Sequence, residues 1–249
     1  MRRILYVWRG FEFYSYTVML YFGLLAGIIV GNQAAHHLGI EPFRVFIAQL
    51  ALIPLGIIGA RALHAAYYWS TYFKAPRRLL YFHLGGADQF GAYALAIAGS
   101  VFVLKSLKLP FLAFWDINIL SLLTLMFITR FGCLLNGCCS GRVTHGVWGM
   151  KLTNYKGVTC YRIPIQLLEA SWTAIVIVSS VLIWPYLGSE GALFCFASAS
   201  YCIGRIVLDG FREECFRWLG PITVHQGIYS LILMFCCVLL IVIWTKDTL

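Results

Sequence analysis

Residues 117–142 read "INILSLLTLMFITRFGCLLNGCCSGR". An almost wholly apolar run ending at Thr129 gives way to Arg130, then to a knuckle of small residues, then to Arg142. A bilayer core asks for about 20 predominantly apolar residues per helix. Asn136-Gly137 offers a natural stop, because glycine takes the left-handed C-terminal conformation without steric cost. The stretch therefore predicts a spanning helix over 114–136, with Arg130 inside it. Charge at that depth costs about 2.5–3.5 kcal/mol on insertion scales and marks function by default. The structural alternative is an arginine that snorkels to the interface along its aliphatic stem.

The rest of the chain agrees with a membrane setting. Of 249 residues 61% are hydrophobic and only 12% charged, and the mean hydropathy is +0.81, too little polarity to cover a soluble fold. Seven apolar segments satisfy the length requirement, near 14–35, 43–69, 90–109, 114–136, 164–187, 191–210 and 222–245. The expected fold is thus an all-α polytopic membrane protein, a single domain over 1–249. The third segment is rich in small residues, which favours close helix approach. The longest connection, 138–163, alternates polar with aromatic or aliphatic residues and suggests a small strand-containing cap between the fourth and fifth helices. "MRRILYVWRGFEFYSY" at the start lacks the clean apolar core of a cleaved signal, and "WTKDTL" at the end carries no lipidation motif.

The net charge of +9 lies mostly in short connections, where an anionic lipid surface is its natural partner. No soluble basic domain exists to present to nucleic acid. Four of the nine cysteines, Cys195, Cys202, Cys236 and Cys237, fall in apolar runs and read as small hydrophobes. Cys133, Cys138 and Cys139 fall in the opening stretch, but no C-x-x-C pair occurs. A metal or dithiol centre therefore has little support, and no cofactor is called for.

Two further stretches carry costly polar groups. "GRIVLDGFREE" puts Arg205, Asp209 and Arg212 at i, i+4 and i+7 of the sixth helix, on one face, where Asp209 can hold either guanidinium. "YFHLGGADQFGAY", 81–93, offers His83 and Asp88 beside Gly85, Gly86 and Gly91, which permit close backbone approach. The bland readings are an ion network at a helix end and a plain interfacial loop. Guanidinium groups suit phosphate, since they donate in a planar fork and stay charged in any environment. Arginines from two helices, in a pocket open to lipid, would hold a phospholipid headgroup.

These motifs resemble those of the bacterial prolipoprotein diacylglyceryl transferases. "TRFGCLLNGCCSGR" is similar to the family signature G-R-x-G-C/N-F-x-N-G-x-x-x-G-R, matching at Arg130, Gly132, Asn136, Gly137, Gly141 and Arg142, with Thr129 in place of the leading glycine. "RIPIQLLEA" resembles P-x-Q-L-Y-E through Pro164, Gln166, Leu167 and Glu169. "GRIVLDGFRE" resembles R-x-x-x-E-x-x-R, with Asp209 for the glutamate. "HQGIYS" matches the opening of the last helix at Gln226 and Ser230. "SYTVMLYFGLLAG" and "GARALH" supply Tyr16, Gly23 and Arg61. The matches keep family order over roughly 15–230. One position departs: where the third-helix motif usually carries a histidine, this chain has Phe90, which cannot move a proton.

The resemblance implies transfer of a diacylglyceryl group from phosphatidylglycerol to the cysteine of the signal-peptide lipobox of prolipoproteins, in the bacterial cytoplasmic (inner) membrane. A thioether forms and glycerol phosphate leaves, without a cofactor. It implies that Arg130 and Arg205 hold the headgroup, that Arg142, Asn136 and Gly137 position the signature, and that Asp209 orients Arg205. Substrate contacts are further implied for Gln166, Glu169, Arg212, Gln226, Arg61, Gly85 and Gly86. Tyr16, His83, Asp88 and His225 remain alternatives as proton acceptor, with Tyr16 and His83 to the fore. The family orientation puts the N-terminus and the 138–163 cap outside the cytoplasm, against the positive-inside count of lysines and arginines. Phe90 keeps two other readings in view: a related transferase with another donor or acceptor, and a non-catalytic lipid-binding homologue.

Overall fold

Helices dominate the computed structural model, which describes residues 3–9, 11–75, 77, 86–154, 156–213, 217–219 and 222–247. Among the described residues, seven helices are long and apolar enough to cross a membrane. In chain order they are α1 (Ser15–His37), α2 (Pro42–Tyr67), α4 (Gln89–Leu107), α5 (Phe111–Asn136), α6 (Ile165–Ile183), α7 (Ala192–Asp209) and α8 (Val224–Asp247); the short α3 (Trp69–Lys74) follows α2. Each coincides with one of the apolar segments read from the sequence. Pro54 sits inside α2 without ending it, as bilayer-spanning helices allow.

Three small antiparallel hairpins accompany them among the described residues: β1–β2 (Ile4–Trp8, Phe11–Tyr14), β3–β4 (Met150–Thr153, Thr159–Arg162) and β5–β6 (Arg217–Leu219, Ile222–Thr223). The second is the anticipated cap. The first runs straight into α1 and was not legible as strand, since "ILYVWRGFEFY" has no regular alternation of apolar and polar residues.

Two compact units emerge from the contacts. Residues 32–114 form one, built on α2 against α4. There Gly59 and Gly91 face each other so closely that a Cβ on either would strike the other's carbonyl oxygen. This is the close approach that the small residues of the third segment predict. The other unit comprises residues 1–31 and 115–249. Gly23 and Gly27 let α1 lie on the backbone of α5 at Leu125 and Ser121, and the ring of Trp172 from α6 covers Gly204 of α7. Trp172 completes that contact by donating Nε1–H to the Ser200 carbonyl at 3.1 Å. At one end of this unit Asp116, 4% exposed, accepts backbone N–H bonds from Gly191 (2.6 Å) and Phe194 (2.7 Å). A carboxylate on α5 thus answers the positive end of α7.

Candidate functional site

The polar heart of the larger unit is Glu169, in the second turn of α6. Ile165, Gln166, Glu169 and Thr173 recur at helical spacing and are all buried, so α6 turns a partly polar stripe inward. Three guanidinium groups meet the carboxylate. Arg130 of α5 brings Nη1 to 2.9 Å from Oε2, Arg212 brings Nη2 to 2.8 Å from Oε1, and Arg205 of α7 bonds Oε1 through Nη1. Arg130, Arg205 and Glu169 are 8%, 3% and 2% exposed, which removes the solvent screening that weakens surface pairs. Tyr229 of α8 backs the group: Arg205 donates Nε–H to its hydroxyl at 3.1 Å, and the guanidinium lies 5.2 Å from its ring centre.

α7 ends at Asp209, so Arg212 is not the third residue of a helical face. It reaches Glu169 from the turn beyond, where its backbone bridges Gly141. The carboxylate on Arg205 is Glu169, whereas Asp209 accepts a short hydrogen bond from the Thr223 hydroxyl and lies 3.7 Å from Arg212 Nε. Among the described residues, three guanidinium groups thus gather about Glu169, with Asp209 beside Arg212. Arg130 Nε is also buried without a hydrogen-bond partner among the described residues. The arrangement is suited to a buried anion.

The signature loop folds back at this point. Gly137, at φ +73°, lies so near the Thr153 carbonyl that a Cβ would stand 2.6 Å away. Cys139 is also left-handed, at φ +56°. These two turns gather Cys133, Cys138 and Cys139 with their sulfur atoms all within 4.8 Å of one another. The absence of C-x-x-C argued against such a grouping. A helix end followed by two left-handed residues achieves it at a different spacing. Hydrogen bonding with Cys133 and Cys138 holds the Cys139 thiol below its ordinary value, and Arg212 and Arg130 act in the same direction against the cost of burial.

The chain matches the prolipoprotein diacylglyceryl transferase family over residues 3–244. It belongs to that family. It is similar to the phosphatidylglycerol-prolipoprotein diacylglyceryl transferase of Clostridioides difficile (strain 630), 26% identical over 92% of this chain and 90% of the relative. The enzyme of the same name from Clostridium kluyveri (strain ATCC 8527) is 26% identical, covering 87% of each chain. That of Mycobacterium leprae (strain TN) is 26% identical over 85% of this chain and 71% of its own.

Within the transferase signature, the two arginines do different things. Arg130 joins the buried cluster. Arg142 is exposed and donates Nε–H to the Arg212 carbonyl at 3.3 Å, while its own N–H bonds the Phe211 carbonyl. It therefore ties the signature to the turn that carries Arg212. Gln166 donates to the Cys138 carbonyl at 2.7 Å and so pins the same loop from α6. Asn136, the last residue of α5, hydrogen-bonds the Cys138 side chain. Tyr16, 38% exposed in the first turn of α1, lies within electrostatic range of Arg130 and the three thiols, and its Cα abuts Gly132.

Gln226 is committed elsewhere. Thr223 and Gln226 form a reciprocal N-terminal box on α8: the Thr223 N–H donates to Gln226 Oε1 and the Gln226 N–H to Thr223 Oγ1, both at 3.0 Å. Its amide also donates to the Ile206 carbonyl at 2.9 Å. His225 is next in line, with Nδ1 3.9 Å from Asp209 Oδ1.

In the smaller unit Arg61 is buried and donates to the Gly86 carbonyl at 2.9 Å. Asp88 caps α4, accepting from the Phe90 and Gly91 N–H groups, so its carboxylate is engaged. Phe90 is in the first turn of that helix. His83 and Gly85 lie outside the described residues.

Two members of the site escaped the sequence reading. Arg162, 1% exposed, donates to the Gly141 carbonyl at 3.2 Å and pairs with Glu213 at 2.6 Å, binding the cap to the Arg212 turn. Tyr229 lies within "HQGIYS" at the start of α8. For Arg162 the available signal was its place two residues before the P-x-Q-L motif. Nothing in sequence marked Tyr229.

Proposed function

We propose that this protein transfers the diacylglyceryl group of phosphatidylglycerol to the lipobox cysteine thiol of prolipoproteins, in the bacterial inner membrane. The N-terminus and the cap are assigned to the outer face. The observation that carries the reading is the convergence of Arg130, Arg205 and Arg212 on one buried carboxylate.

Glu169 pre-positions the guanidinium groups, so that little reorganisation accompanies the reaction. The lipid phosphate is held with Arg130 and Arg205 as its principal donors. The acceptor thiolate attacks the terminal glycerol carbon of the diacylglyceryl group and forms the C–S bond. The C–O bond to phosphate breaks, and glycerol phosphate departs with the electron pair. Fixed donors in a water-poor pocket stabilise the charge developing on that phosphate, the largest single source of rate in such sites. Asn136, Gly137, Gly141, Arg142 and Gln166 hold the signature in register. Arg61, Gly85 and Gly86 are assigned to substrate contact by their place in the family motifs. Tyr16, His83 and His225 are the candidates to take the thiol proton, since Phe90 cannot and Asp88 is engaged as a cap.

Purified protein, given phosphatidylglycerol and a lipobox peptide, should yield a thioether-linked peptide of increased mass. Failure of the folded wild-type protein to do so, with anionic lipid still bound, would overturn the reading in favour of a non-catalytic lipid-binding role.

A further inference from the structure

The transfer just described gives no part to Arg162, the largest fully buried side chain among the described residues. Taking a guanidinium out of water is costly unless partners in good geometry meet it. Its Nη1 meets two: the Gly141 carbonyl oxygen at 3.2 Å and Glu213 Oε2 at 2.6 Å. Gly141 belongs to the signature, and Glu213 directly follows Arg212. Asn154, just past β3, also hydrogen-bonds the Glu213 carboxylate, so the cap hairpin grips it at two points.

The backbone makes the same connection. Arg162 bridges Val143 and Gly141 bridges Arg212, so the cap, the signature and the turn after α7 run side by side as short antiparallel stretches. The Ile163 N–H donates to the Arg142 carbonyl at 3.1 Å, and the Glu213 N–H donates to the Ser140 carbonyl at 2.9 Å. Successive side chains on an extended stretch point opposite ways. Arg212 accordingly reaches Glu169 at 2.8 Å, while Glu213 turns to Arg162 in the cap. What grips Glu213 thereby sets the direction of Arg212.

From this juxtaposition we propose that Arg162 and Glu213 are positioning residues for the transfer, orienting Arg212 toward the lipid phosphate without touching the lipid themselves. The inference rests on the transferase reading and explains a difference among its three arginines. Arg130 and Arg205 issue from the spanning helices α5 and α7, which hold them rigidly. Arg212 lies beyond the end of α7 and has no helix to hold it. A donor serves an anion best when it is already in place, because nothing then has to be ordered as the anion arrives. The cap supplies that rigidity through the buried pair.

The test is a double-mutant cycle on the full chain in a detergent of neutral headgroup, read as the Kd for a short-chain phosphatidylglycerol. Arg212→Gln should weaken binding about tenfold, and Arg162→Gln and Glu213→Gln should each approach that loss. Added to Arg212→Gln, either substitution should change Kd by less than about twofold, because its effect passes through a side chain already removed. A purely structural role would lower affinity in both backgrounds. Losses that multiply therefore overturn the proposal, as does wild-type affinity in Arg212→Gln or in both positioning variants. Glu213 is 32% exposed at its side chain, so Glu213→Gln keeps the cycle decisive where Arg162→Gln does not fold. Binding needs no turnover, and the two readings fail separately. Coupling without transfer removes the transferase assignment alone, and transfer without coupling removes the positioning role alone.

Discussion

Among the buried carboxylates of the larger unit, Asp116 and Glu169 solve the same problem in opposite ways. Asp116 is answered by backbone N–H groups at the start of α7, donors that cannot move and leave nothing over. Glu169 is answered by three long side chains that arrive from α5, α7 and the turn beyond it. The first arrangement is closed: backbone donors satisfy the carboxylate, and it locks one helix end to another. The second gathers three side-chain donors on a single carboxylate, donors that can also turn toward another anion. Burial of charge alone does not identify a reactive site; the gathering of several guanidinium groups on one carboxylate does.

The contrast is sharpest under mutation. Glu169→Ala strands three buried guanidinium groups, and losing one partner of a buried pair costs about 3–5 kcal/mol. Thermal unfolding in detergent should record the loss, and transfer should vanish with it. Arg130→Ala and Arg205→Ala should each lower kcat by about 100- to 1000-fold, the range for deleting one fixed donor to a developing oxyanion. Both variants should stay folded, and full activity in both would remove the proposed mechanism. Asp116→Asn should do the reverse, costing about 1–3 kcal/mol of stability while KM for lipid stays within a few-fold. Gln226→Ala should cost only about 1 kcal/mol, as expected for half of a helix cap. A large rise in KM there would return Gln226 to the substrate.

The smallest effect concerns pH. The hydrogen bond from Arg162 holds the Glu213 carboxyl below its ordinary value of 4.5. A carboxyl depressed by folding adds stability above its unfolded value and loses it as pH falls through the folded one. The cap should therefore loosen on acidification below about pH 4.5, seen as faster amide exchange over β3 and β4, and Glu213→Gln should abolish that dependence.

The comparison also explains what could be read in advance. All seven spans were legible because apolar length is a local property, and so was the cap, whose composition alternates. Arg130 was legible because a charge stands out against an apolar run. By the same rule Asp116 could have been noticed, but its role depends on where α7 begins, some seventy residues later. Glu169 was expected at the substrate through its motif. Its standing as common partner of three arginines needed the packing of α6 against α7 and α5. Spacing alone hides the approach of the cysteines, which depends on the left-handed turns at Gly137 and Cys139.

The bridge between Gly141 and Arg212, reinforced by Arg142 on the Arg212 carbonyl, bears on how the protein is made. Synthesis delivers Arg130 to the bilayer before its counter-ion Glu169 exists, with the whole cap still to follow. The sixth span must then be inserted before Arg212 can dock. An early chain therefore carries an unneutralised arginine that later helices must rescue, and a translocon or a neighbouring anionic lipid has to shelter it until they do.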